Sequence, residues 1–158
     1  MTIDGAARHR AREAALQMLY QWEIGRVSPH EAVRTYWPGR DAPPSDEDEH
    51  ADLLPEHAVD ELGRTFANAL VAGTIARVTE TDELIARHLK NWRIERVAVI
   101  DRLVMRMAIY ELLTEADTPS KVIINEALEL ARTFSGEEPV PLINGVLDAV
   151  RKTLGRDS

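Results

Sequence analysis

The chain has no cysteine. Disulfides, zinc–thiolate sites, iron–sulfur clusters and a cysteine nucleophile are therefore excluded, and a reducing compartment, by default the cytoplasm, suits it. No run approaches the roughly 20 apolar residues that span a bilayer. The opening MTIDGAARHRARE has basic residues but no apolar stretch behind them, so it does not read as a secretory signal. Sustained period-two alternation of apolar residues is missing too, which removes the main strand signal. There is no Walker loop, no dinucleotide glycine fingerprint, no G-x-S-x-G and no H-E-x-x-H, so no enzyme emerges from the motifs. Between Glu56 and Thr118 there is no proline, which leaves room for long uninterrupted helices.

What is present fits one ordinary domain, or two very small subdomains sharing a core, in 158 residues. The formal charge of -8 argues against nucleic acid as a partner until its distribution is read. Residues 41 to 61 hold nine acids and no Lys or Arg, and the rest of the chain sums to +1. The acidity is local, and the stretch from about 38 to 55, with four prolines and no periodic apolar face, reads as a loop.

Elsewhere apolar residues recur at spacings of three and four, which predicts an all-α chain of about seven helices. The first runs from about Ala6 to Ile24 with Gly25 as its stop. The second starts at the capping sequence Ser28-Pro29-His30-Glu31 and ends at Pro38-Gly39. A third spans about Glu56 to Val78, with Gly73 allowing a close helix approach. A break at Thr79–Asp82 starts a short fourth. The fifth, about Glu95 to Leu113, is apolar nearly all round, with Glu95, Arg102 and Arg106 within about 40° of one another as a narrow polar stripe. The sixth follows Thr118-Pro119 and stops at Gly136. The seventh follows Pro139 and Pro141, and its Gly145 suggests close packing or the close approach of a ligand, because glycine costs about 1 kcal/mol against alanine inside a helix.

Few side chains point to chemistry. The sequence Glu47-Asp48-Glu49-His50 spells one Glu-x-x-His, but carboxylate di-iron bundles need two such elements on rigid helices. Asp46, Asp48 and His50 fail as a calcium loop because Ala51 stands where the turn demands glycine. Neither metal is indicated. The amino terminus is more informative: Arg8, His9, Arg10 and Arg12 crowd the start of a helix, where positive charge opposes the macrodipole. A phosphate-bearing partner would offset that conflict, since arginine forks match phosphate oxygens and guanidinium planes stack on unpaired bases. The alternative is a frayed basic terminus with ordinary solvated arginines.

Three segments, ARHRAREAALQMLYQWE, NWRIERVAVIDRLVMRMAIYELL and PSKVIINEALELARTFSGEE followed by LINGVLD, resemble in order and separation the bacterial transcription antitermination factors of the NusB family. The resemblance covers most of the chain apart from the acidic loop and the ends. It implies a single all-α, NusB-like domain over 1–158, an irregular bundle with two small helical subdomains at about 6–80 and 81–156. It implies no enzyme, no cofactor and no metal, but a protein that binds the boxA element of ribosomal RNA leader transcripts together with NusE, a ribosomal small-subunit protein. Through the RNA polymerase antitermination complex, which includes other Nus factors, it would help polymerase resist termination.

Matched position by position, the RNA-binding residues fall on Arg8, His9, Arg10 and Arg12, with Leu142 and Asn144 at the second element. Some members carry a Lys-Phe pair where this chain has Pro141-Leu142, so a phosphate contact and a stacking aromatic are absent here, and contact falls to Asn144 and backbone groups. The NusE-facing positions are Asp101, Glu95 and Glu138, acidic groups suited to a basic ribosomal protein. For Glu95 an internal ion pair with Arg102 or Arg106 stands as the alternative. Monomer and homodimer both remain open. Two other function classes compete. An accessory domain of a ribosomal RNA methyltransferase is untenable without a cofactor-binding region, whereas a helical protein–protein adaptor with no direct RNA role is the surviving alternative.

Overall fold

The computed structural model describes residues 3–41, 59–89 and 93–157. Among these are seven α-helices, one 3-10 turn and no strand. The helices are α1 (Gly5–Gly25), α2 (Pro29–Asp41), α3 (Glu61–Ala76), α4 (Val78–Arg87), α5 (Val99–Thr114), α6 (Ser120–Phe134) and α7 (Val140–Thr153). None of the described helices is long and apolar enough to cross a membrane. Most of the expected acidic loop, with Glu47, His50 and the start of the third helix at Glu56, lies outside the described residues. The chain divides into two compact units, 1–71 and 72–158, so the division falls inside α3.

In the first unit, Asp4 caps α1 by accepting from the Ala7 amide at 2.8 Å, which places a carboxylate at the positive end of the helix. Helix α1 buries Ala7, Ala11, Ala14, Ala15, Leu16, Met18 and Leu19, the small residues giving its neighbours a close approach. It runs through the expected stop at Gly25, and the left-handed residue is Arg26, with φ of 53°. Ser28 Oγ accepts from the Glu31 amide at 3.1 Å, as its capping sequence requires. The expected end of α2 at Pro38 is corrected: the helix continues to Asp41 with Pro38 inside it. A proline's fixed φ is helical, and at this late position it removes only the bond to the Arg34 carbonyl.

The second unit is built around α5. Leu103, Val104, Met105, Met107, Ala108, Ile109 and Leu112 are all buried, packed by α4, α6 and α7. Helix α6 contributes Ile123, Ile124, Ala127, Leu128, Leu130 and Ala131, and α7 contributes Val140, Ile143, Val146, Leu147 and Val150. Gly73 allows the expected close approach, since a Cβ there would run into the Tyr110 ring. Helix α5 ends without a basic residue in its last turn. Arg156 from the carboxyl-terminal tail takes over, donating to the Leu112 carbonyl at 2.7 Å and the Thr118 carbonyl at 2.5 Å.

The expected long central helix is interrupted. Ile94–Arg96 form a 3-10 turn, Val97 is extended, and α5 starts only at Val99. Glu95 therefore does not share a helical face with Arg102 and Arg106, and the three-residue polar stripe is not formed. The carboxylate on Arg106 is instead Asp82 of α4, bound through two prongs of 2.7 and 2.9 Å. Arg106 is 7% exposed, so it depends on that partner far more than a surface arginine would. Replacing Asp82 with Ala should lower stability in urea unfolding by about 2–3 kcal/mol, because it takes a two-pronged carboxylate away from a buried cation. Glu129→Ala, which removes an exposed pair with Arg132 at 3.0 Å, should cost under about 1 kcal/mol.

Candidate functional site

Two groups of polar side chains lack a purely structural explanation, one in each unit. The first is the amino-terminal turn of α1. Arg8, His9 and Arg10 are half-buried, while Arg12 is 2% exposed and belongs to the core. The guanidinium carbons of Arg8 and Arg12, one helical turn apart, sit 5.4 and 5.5 Å from the ring centre of Phe66 on α3. Both distances lie within cation–π range. His9 Nε2 is 2.8 Å from Glu13 Oε1, one turn on. Arg10 Nε is buried with no hydrogen-bond partner among the described residues.

The second group lies at the start of α5. Arg96, Val97, Ala98, Asp101, Ser135, Glu138, Pro139 and Leu142 line a groove of about 490 Å³. Asp101 is 6% exposed and its Oδ1 is buried without a hydrogen-bond partner among the described residues. Burial raises the pKa of its carboxyl above the ordinary aspartate value, against the lowering effect of a side-chain hydrogen bond with Ser135. Burial of the charged carboxylate therefore works against folding, less whatever the Ser135 hydrogen bond returns.

The structure thus brings Asp101, Glu138 and Leu142 to one groove. Glu95 is exposed on the 3-10 turn beside Arg96, which does line it. Leu142 shares a wall with the two acids, two residues before the exposed Asn144 on α7. Gly145 is exposed as well, and a Cβ there would meet nothing within 4 Å. The expectation that it serves close packing inside the chain is corrected, since none of the described residues occupies the space. Arg8, His9, Arg10 and Arg12 belong to the other unit.

Sequence spacing did not find Phe66, Ser135 or Arg96. Phe66 reads as one more apolar residue of a helical stripe, and its two arginines lie more than fifty positions earlier. The pairing of Asp101 with Ser135 likewise depends on how α6 ends: the Gly136 amide reaches back to the Ala131 carbonyl at 2.8 Å, with Gly136 at φ of 125°. Among the described residues, no group of three or more His, Asp or Glu side chains could hold a metal ion.

Comparison with known proteins gives a consistent picture. The NusB family model matches residues 9–152. The transcription antitermination protein NusB of Solibacter usitatus is 42% identical over 94% of this chain and 91% of its own. The crystal form of T. maritima NusB superposes with a TM-score of 0.71 at 30% identity, covering 96% of this chain and 93% of that one. A structure of the antitermination factors NusB and NusE in complex with dsRNA matches with a TM-score of 0.74 at 21% identity, over 95% and 99%. That last likeness is one of fold.

The sign of the Asp101 effect is testable. A raised carboxyl pKa in the folded state means that the charged form weakens folding, fully so above the folded pKa, with relief as pH falls toward the ordinary value of about 3.9. Asp101→Asn should therefore be as stable as the parent chain, or more stable, at pH 7, and the difference should shrink in thermal unfolding as pH falls toward the ordinary aspartate value. A loss of more than about 1 kcal/mol at pH 7 would mean that the carboxylate is needed by the fold.

Proposed function

The chain belongs to the NusB family of transcription antitermination proteins, which are not enzymes, and from that premise we propose that it binds the boxA element of ribosomal RNA leader transcripts together with NusE. In this reading it acts in the cytoplasm, within the RNA polymerase antitermination complex and alongside other Nus factors, to keep transcription processive. The observation that carries the reading is the concentration of Arg8, His9 and Arg10 at the amino-terminal turns of α1. Cations placed there oppose the helix dipole, and an RNA phosphate relieves the opposition. Arg10 is half-buried, so the part of its fork that reaches solvent can meet such an oxygen.

Selectivity requires more than these cations, because phosphate contacts position a strand without reading it. Asn144 is exposed beside Gly145, whose open surroundings admit the close approach of a ligand. The carboxamide can both donate and accept at a base edge. The partner-binding half falls on Asp101, Glu138 and Glu95. A basic side chain entering the groove would supply the missing partner of Asp101 Oδ1 and offset the cost of burying it. The structure of NusB and NusE with double-stranded RNA supports this combination of partners for the fold.

The adaptor reading draws on two facts. Arg12 is buried, and His9 faces Glu13, so these two side chains are already engaged within the chain. The two readings separate in one experiment. Converting Arg8 and Arg10 together to Ala should weaken binding of a single-stranded boxA RNA at least about tenfold and lower the log–log salt slope by about 1.4, at about 0.7 for each lost phosphate contact. NusE association, followed in the same preparations, should be unchanged. Equal RNA affinity in parent and variant would favour the adaptor.

A further inference from the structure

We propose that Arg93 and Arg96, on the 3-10 turn that precedes α5, each hold an RNA phosphate, and that these contacts form once the basic partner protein occupies the neighbouring groove. The inference rests on the RNA- and partner-binding reading and deepens it by adding a cationic contact in the second unit. Both arginines are exposed, and neither makes a side-chain hydrogen bond or ion pair among the described residues. A 3-10 helix has three residues per turn, so positions three apart lie one above the other. The Arg96 amide bonds the Arg93 carbonyl at 2.9 Å, which stacks these two positions. Glu95, exposed on the same turn, pairs with neither among the described residues. Two guanidinium forks are thus presented to solvent on one short turn, with their donors available to phosphate oxygens.

The surroundings of Arg96 decide which partner it suits. It lines the groove with Asp101, Glu138 and Leu142, yet it forms no ion pair with either acid. A basic protein entering the groove gains from the two carboxylates and nothing from Arg96, which carries its own sign of charge. A polyanion gains from Arg96 instead. Leu142, on the same wall, is two residues before Asn144, the proposed base-edge contact, so a strand read there passes close to this cation. In the free chain Asp101 and Glu138 oppose a phosphate at Arg96, because charges lining one groove lie too close for salt to screen fully. Cations of the seated partner cancel those acids and leave the arginines to the RNA. Partner and RNA then favour each other with no change of fold.

The test titrates single-stranded boxA RNA against the full chain, against the double variant Arg93→Ala with Arg96→Ala, and against Arg93→Lys with Arg96→Lys. Each is measured with and without NusE at several salt concentrations, and NusE affinity is measured in the same preparations without RNA. Both side chains are exposed, so thermal unfolding should be unchanged. With NusE present, the Ala pair should raise the RNA Kd about tenfold and lower the log–log salt slope by about 1.4, at about 0.7 for each lost phosphate contact. Without NusE its Kd should change less than about twofold. The Lys pair should keep the parental slope, and NusE affinity should not fall in either variant. Parental RNA affinity of the Ala pair in the NusE complex would overturn the inference, as would equal losses with and without NusE. Weakened NusE binding would make the turn a protein contact and overturn it too. The Arg8→Ala, Arg10→Ala variant run alongside keeps two failures apart: if it also binds RNA like the parent, the RNA-binding reading falls, and if it loses affinity while the turn variant does not, that reading stands without this contact.

Discussion

Helix α5 is buried on nearly every side, and a charged residue on such a helix must either find a counter-charge within reach or keep an unmet demand. Arg106 meets the condition through the two-pronged pair with Asp82, at 2.7 and 2.9 Å. Asp101 does not: Ser135 serves its carboxylate, but Oδ1 is enclosed without a partner among the described residues. The same helix therefore carries one charge that holds α4 in place and one that works against the fold. With three helices packed around this apolar rod, little solvent is left to screen either charge.

The first unit handles buried charge differently. Arg12 is enclosed, and the Phe66 ring it shares with Arg8 offers both cations an attractive face. Asp4 caps the helix by accepting from a backbone amide, a local bond that leaves the arginine forks to other partners. Each unit thus carries a polar feature, basic in one and acidic in the other, and the proposed partners, an RNA and a basic protein, match them in charge.

How much of this was legible in the sequence depends on the range of the interaction. Apolar spacing locates the seven helices and the buried faces of α6 and α7, and the lack of a side chain marks Gly73 as a place of close approach, though not Tyr110 as what fills it. The central helix was misjudged at its start. Glu95 to Ala98 carry a helical apolar pattern, but the chain takes a 3-10 turn and then extends, so Glu95 leaves the face of Arg102 and Arg106. Pro38 looks like a stop because proline breaks helix interiors, whereas near a helix end its cost is a single bond. The Arg8, Arg12 and Phe66 stack and the groove around Asp101 were beyond reach, since both join residues far apart in sequence by way of tertiary packing.

The central claim is that RNA and a basic protein partner are bound together by one chain with a basic helix start and an acidic groove. The most direct measurement is a titration of boxA-containing RNA against the protein with and without its species-matched NusE at a fixed salt concentration. The account predicts weak binding by the chain alone and a Kd at least about tenfold lower with NusE present. An RNA affinity that NusE leaves unchanged while the two proteins form a complex would contradict it.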